Sequence, residues 1–258
     1  MRARPPQTGA DAVSGPLDLA RRPWVDVATA VQDGVLAVLP IGACEQHGHH
    51  LPLSTDTDLA GGVAWRTAAA LSALLLPAIA YGDAWNNEAF AGTLSLSPAT
   101  LRAVIEDIGG GLHRMGVRGL IVINGHFGNR DPIALAARTL AQTGLAVLHL
   151  DYPRLDVLAA AICDSPPAGP GFFHADEVET SMMLALRPEA VDLRRAQAEY
   201  PTFPPTFGLE PMQLKDFNST GTFGDPRQAT AAKGEALLTG IVAENLALIA
   251  HWRARHAL

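Results

Sequence analysis

Glu45, His47, His49, His50, Asp56 and Asp58 crowd one short stretch, PIGACEQHGHHLPLSTDTD, Pro40 to Asp58. The whole chain holds only nine histidines, so this clustering asks for a chemical reason. Two further polar clusters follow later. NGHFGN, Asn124–Asn129, places His126 in a turn, and HADEVETS, His174–Ser181, brings His174, Asp176, Glu177 and Glu179 together. Imidazoles and carboxylates without paired thiols suit Zn, Mn or Fe and exclude a structural zinc finger. Glu45 and His47 are two apart, so on an extended segment both project to one side. Two imidazoles (His47, His126) and three carboxylates (Glu45, Asp56, Glu177) exceed the needs of one tetrahedral catalytic zinc. A pair of ions sharing one carboxylate would use them all.

The elements that must position these groups read as an alternation of strands and helices. Val35–Ile41, Leu74–Ile79, Gly119–Asn124 and Leu145–Tyr152 are apolar runs of strand length. Gly119–Asn124 in particular has the Leu/Ile/Val run of a strand buried on both faces. Helices are expected over Thr57–Ala73, from the Ser97-Pro98 start to Met115 with Gly116 as its stop, and over Asp131–Thr143, Ala175–Leu186 and Pro226–His256. This order predicts a single α/β domain with a mostly parallel central sheet flanked by helices. In such sheets ligands bind beyond the carboxyl ends of strands, where the polar clusters fall. The Pro-, Gly- and Phe-rich stretches 165–173 and 199–222 are read as ordered loops over the site. Residues 1–20 are read as a flexible tail and 21–258 as the domain.

Composition narrows the classes. With 48% apolar and 17% charged residues, the chain can bury a large core. A net charge of −7 argues against nucleic acid and anionic membrane as partners. No apolar run reaches the ~18 residues of a membrane span, the N-terminus lacks a signal-peptide core, and two cysteines make no disulfide framework. A cytoplasmic location is expected.

Plainer explanations exist for each motif. His49 and His50 read equally as loop histidines, and Cys44 as a small buried residue. Asp56 and Asp58 could cap a helix, and Glu177 and Glu179 could be the acidic first turn of one. Asn124-Gly125 could be only a turn. Their joint occurrence after successive strands favours a site.

The same stretches carry a family resemblance. PIGACEQHGHHLPLSTDTDLA, FAGTLSLSPATL, VINGHFGN, HADEVETSMMLALRPEAVDL and GTFGDPRQATAAKGEALL, in order from Val35 to Leu238, resemble the successive signatures of the creatininase family. The resemblance implies an α/β metal-dependent amidohydrolase with two divalent ions per subunit, attacking a C–N amide bond with water. It also implies a homohexamer, an assembly that light scattering would count. Glu45, His47, Asp56 and His126 match the family's metal ligands, with Asp56 as bridge. Glu177 matches the glutamate of the HAGE pattern and is expected to be the fifth ligand, because Gly128 stands where creatininases proper carry a glutamate. His174 matches a histidine near the substrate and is the expected general acid. Two tryptophans that close the creatininase site are replaced here by Pro153 and by Pro170 or Gly171. Trp85, Asn87 and Phe127 are expected near the substrate, a small neutral amide other than creatinine. The alternatives are creatinine itself, a mycofactocin-type precursor peptide, a metal-dependent isomerase or lyase, and a non-catalytic protein that kept the fold.

Overall fold

The computed structural model describes residues 15–258. The first fourteen residues of the expected tail lie outside the described residues. Leu17–Asp18, expected to belong to the tail, forms instead an edge strand, β1, paired with Leu74–Leu75. Four more parallel strands complete one sheet: β2 (Ala37–Ile41), β3 (Leu74–Leu75), β4 (Gly119–Asn124) and β5 (Ala146–Asp151), in the order β1-β3-β2-β4-β5. β3 is shorter than its apolar run suggests. Pro77 lacks the N–H that a ladder needs, and pairing resumes only as a bridge between Ile41 and Ile79.

Alternate residues of the buried strands feed two cores, as the two-residue period of a strand requires. Val38, Ile121, Ile123 and Leu150 pack against α2 (Thr55–Leu71), α5 (Leu155–Ile162), α6 (Glu177–Leu186) and α7 (Ala231–His256). Ala37, Leu39, Ile41, Leu120 and Val122 pack against α3 (Pro98–Met115) and α4 (Arg130–Thr143). α3 begins as expected, with the Ser97 hydroxyl accepting from Thr100 N–H, and stops at Gly116 with φ 101°. Two helices were not legible: α1 (Trp24–Gln32) and α5. α7 starts later than expected, because Pro226–Gln228 forms a separate 3-10 turn before Thr230 caps the helix.

β2, β4 and β5 are in register, with Ile41 beside Asn124 and Asn124 beside Asp151. Their carboxyl ends therefore open at one level, and the connections carrying the polar clusters leave from there. Asn129 ties these connections together: its Nδ2 donates to the Gly42 carbonyl at 2.9 Å and its Oδ1 accepts from Asp83 N–H at 2.9 Å. The loops 165–173 and 199–222 are held by an aromatic cluster. Phe172 lies 4.9 Å from Phe223 and 5.5 Å from Phe203, which contacts Phe207 at 4.7 Å between ring centres.

Candidate metal centre

Five buried side chains converge beyond the carboxyl ends of β2 and β4. Glu45 and His47 come from the connection after β2, Asp56 from the first turn of α2, His126 from the turn after β4, and Glu179 from the first turn of α6. Their ligand atoms form two groups that share Asp56: Glu45–Asp56–His126 and His47–Asp56–Glu179. Asp56 Oδ1 lies 2.9 Å from His47 Nε2, and Oδ2 lies 3.1 Å from His126 Nδ1. Glu45 Oε1 is 3.1 Å from His126 Nδ1, and Glu179 Oε2 is 3.6 Å from His47 Nε2. His47 Nε2 and Asp56 Oδ2 are buried atoms that find no hydrogen-bond partner among the described residues. Converging imidazole and carboxylate donors left unmet in this way fit a divalent cation.

The outer nitrogens of both histidines are already committed. His47 Nδ1 faces the Glu45 carbonyl at 3.1 Å, and His126 Nε2 faces the Asp83 carbonyl at 2.8 Å. A carbonyl accepts only, so each outer nitrogen carries its proton and the inner nitrogen is the one available as a ligand. A chain of amides fixes the other partners. Gly48 N–H donates to Gln46 Oε1, Gln46 Nε2 donates to Asn87 Oδ1 and to His174 Nε2 (2.8 Å), and Asn87 Nδ2 donates to Glu45 Oε2 (2.8 Å). His174 therefore turns its protonated Nδ1 toward the site, 3.6 Å from Glu45 Oε1.

The structure departs from the sequence expectation at Glu177. Glu177 and Glu179 are two apart on a helix, so they point about 200° apart around it. Asp176 caps α6, accepting from Val178 and Glu179 N–H, which puts Glu179 toward His47 and turns Glu177 away. Glu177 pairs instead with Lys233 and accepts from Ser165 N–H at 2.7 Å and Asp164 N–H at 3.1 Å. Asp58 is structural, meeting Arg187 at 2.9 Å and the Ser54 hydroxyl at 2.8 Å. His50 faces the Thr180 hydroxyl at 2.9 Å. Gln46 and Asp83 were the missed members of the site, while Glu179 was among the candidate groups but Glu177 was chosen over it; the helical phase of HADEVETS was the usable signal.

A cavity of about 100 Å³ lies against these groups, lined among others by Asn86, Asn87, Phe127, Phe172, His174 and Leu214. Of the residues expected near the substrate, Phe127 and His174 line it. Asn87 does too, but its amide is spent on Glu45 and Gln46. Trp85 is not among the lining residues: it is 41% exposed and its carbonyl accepts from Gln213. Its neighbour Asn86 lines the cavity instead.

The family model described as creatininase, creatinine amidohydrolase, matches residues 20–249. The chain belongs to the creatininase family. It is similar to a creatinine amidohydrolase of Pseudomonas putida, with 34% identity over 83% of this chain and 89% of the relative. It is also similar to a mycofactocin precursor peptide peptidase of Mycobacterium tuberculosis, with 32% identity over 83% of this chain and 84% of the relative. A solved mutant creatininase of Zn-Zn type superposes with a TM-score of 0.81 at 30% identity, covering 94% of this chain and 99% of that one. As a creatininase-family protein it is a metal-binding amidohydrolase of parallel α/β architecture.

One family position is closed by geometry. A Cβ on Gly128 would lie 2.0 Å from the Asp83 carbonyl oxygen and 2.8 Å from His126 Nε2. A glutamate there would break the contact that orients His126, so this backbone leaves the last carboxylate to Glu179.

Electrostatics dictate how this creatininase-family site takes up cations. Burial alone would lower the pKa of His47, but the charges of Asp56, Glu179 and Glu45 raise it to about 10. Burial likewise opposes protonation of His126, and Glu45 and Asp56 hold its pKa well above the usual value. In the metal-free protein both imidazoles are thus protonated at pH 7, on the nitrogens that would bind metal. A cation must displace these protons, so affinity rises with pH. The Glu179 carboxyl, raised by burial to about 8, must lose its proton as well, so we expect about three protons released per chain at pH 7 and a cation affinity that falls steeply as pH is lowered. Calorimetry in buffers of differing ionisation enthalpy measures this directly. Uptake without proton release would contradict the assignment of His47 and His126.

Proposed function

We propose that this protein hydrolyses a C–N amide bond at a dinuclear site held by Glu45, His47, Asp56, His126 and Glu179. The carrying observation is the placement of Asp56 between two donor groups, one oxygen directed to each. Two Zn, Mn or Fe ions suit this mix of imidazole and carboxylate. When bound, the ions would supply water activation at neutral pH and stabilisation of charge on the amide oxygen.

The protein's own groups carry the rest. His174 is kept neutral: burial and the neighbouring His47 charge push its pKa down to about 3. A neutral imidazole held by Gln46 at Nε2 offers Nδ1–H as a donor, suited to the leaving nitrogen or the developing oxyanion. Asn86 offers an uncharged amide to a neutral substrate. Phe172 and Leu214 give the cavity an apolar wall beside the polar groups.

Creatinine is not the favoured substrate in this reading. Pro153 and Gly171, which stand where the family resemblance places tryptophans, line open space beside the site. A flat ring would find no indole wall there. Protein loaded with Zn or Mn and offered creatinine beside a panel of acyclic and cyclic amides is expected to hydrolyse one of the other amides. Creatinine turnover at or above about 10⁴ M⁻¹s⁻¹ in kcat/KM, an ordinary value for an enzyme on its own substrate, would overturn the choice. No hydrolysis of any amide, with product formed from a cyclic ketone or polyol instead, would favour the isomerase or lyase reading.

A further inference from the structure

The inner cavity, at about 100 Å³, has room for roughly three waters. That is space for an amide group and little more, well below the ~300 Å³ at which whole-ligand pockets begin. It does not end there. Past Gly125, His126, Phe127, Gly171, Phe173 and Glu179, which line both spaces, it continues into a groove of about 400 Å³. Tyr152, Pro153 and Leu155 form one wall of the groove, and Asn124, Arg130, Asp151, Arg154 and Asp156 line the rest. A third space of about 540 Å³ lies under the loop 163–171, shares Gly171 and Phe173 with the others, and mixes apolar lining (Pro166, Pro167, Pro170, Val178) with the acidic Asp156, Asp164 and Asp176.

Gly171 is the common doorpost. It adopts φ +67°, and a Cβ there would meet no atom within 4 Å, so the passage is wide where a side chain would narrow it. Phe127 forms the opposite side, 70% exposed. Its ring is held by Arg130, whose guanidinium carbon lies 4.2 Å from the ring centre and whose Nε donates to Asp151 at 2.8 Å. A small polar inner cavity, an open passage at Gly171 and a roomy groove with one apolar wall opposite charged side chains are a poor match for a compact ring. They match a chain threaded outward.

Resting on the amidase reading above, we propose that the substrate is an acyclic amide bearing an extended apolar chain. Its amide group occupies the inner cavity, and the chain runs past Gly171 along Tyr152, Pro153 and Leu155.

Chain length is the variable that tests this. With metal-loaded protein, kcat/KM is measured for acetamide, butanamide, hexanamide and octanamide. Each added pair of methylenes buried on the groove wall is expected to raise it about tenfold until the groove is filled. A profile that is flat or falls with length, with acetamide still hydrolysed, overturns the extended-chain proposal and leaves the amidase reading standing. Failure to hydrolyse any of the four while a cyclic amide is still hydrolysed overturns the extended-chain proposal alone; failure on every amide, cyclic ones included, overturns both. Inhibition supplies a readout independent of turnover: octanohydroxamate is expected to inhibit at least about 100-fold more tightly than acetohydroxamate, and equal inhibition overturns the proposal. Pro153→Asp, which places a charge on the groove wall, is expected to cut the preference for octanohydroxamate over acetohydroxamate at least fivefold. An unchanged preference in folded Pro153→Asp protein would put the chain elsewhere and overturn the path drawn here.

Discussion

Asp56→Ala protein is expected to fold, to retain less than about half an ion per chain after dialysis, and to lose at least ~10³-fold in kcat/KM, about 4 kcal/mol of transition-state stabilisation. The size follows from where the carboxylate stands. Its two oxygens each address a different histidine, so one truncation removes a ligand from both donor groups. His47→Ala leaves the Glu45–Asp56–His126 group intact and is expected to retain about one ion. Although Asp56 lies in the first turn of α2, its carboxylate caps no backbone N–H there, so the loss is not a helix-capping effect. Asp56→Asn controls for shape: it keeps the volume, removes the charge and is expected to behave like Asp56→Ala. Metal analysis by mass spectrometry decides the matter. An Asp56→Ala protein with wild-type metal content would sink the shared-ligand assignment.

Glu179→Gln and Glu177→Gln are expected to part company although the residues are neighbours in one motif. Glu179→Gln should empty the His47 side of the site and cost ~10²–10³-fold in activity, with thermal stability of the metal-free protein near wild type or higher. The reason for the last point is that burial, aided by Asp56 and Asp176, raises the Glu179 pKa to about 8 against the pull of His47. A carboxyl raised in the fold favours folding below its unfolded value, and that contribution is lost as pH rises through about 8. Above that pH the neutral glutamine is the cheaper occupant. Glu177→Gln should keep full metal content and instead lower stability by ~1–3 kcal/mol. It leaves Lys233 with Asp164 as its one charged partner beside the Gln228 carbonyl, and weakens the hold on Asp164 and Ser165 N–H. Those residues begin the loop that carries Gly171, Phe172 and Phe173 over the site, so a raised KM is the accompanying signature. Loss of metal in Glu177→Gln with full occupancy in Glu179→Gln would reverse the two roles.

This pair also marks the limit of what the sequence revealed. The strands carrying the site were legible because parallel strands buried on both faces are written as unbroken apolar runs, as in Gly119–Asn124. Asp56 and His126 were legible because polar residues directly after such runs have few other uses. Glu177 was misplaced because its choice rested on motif alignment, whereas the helix start at Asp176 sets which glutamate faces inward. α1 and α5 escaped notice for a different reason. Leu155–Ile162 is apolar on nearly every side, and a short apolar run carries no period that separates helix from strand. Trp85 does not line the cavity because the turn Trp85–Asn87 directs its second and third residues, Asn86 and Asn87, there instead.

Glu45, His47 and Asp56 come from one short stretch, but His126 and Glu179 lie far along the chain from it. Each of the two groups sharing Asp56 needs one of those distant donors, so neither is complete until β2, β4 and α6 have docked. Cations therefore arrive late, at a scaffold already assembled, and cannot act as a template for it. Their effect falls on the lifetime of the finished fold. Ligands that bind the native state alone stabilise it by mass action, and contacts absent from the folding transition state slow unfolding without hastening folding. In a cell short of the right metal, this chain would still reach its shape but would hold it less durably.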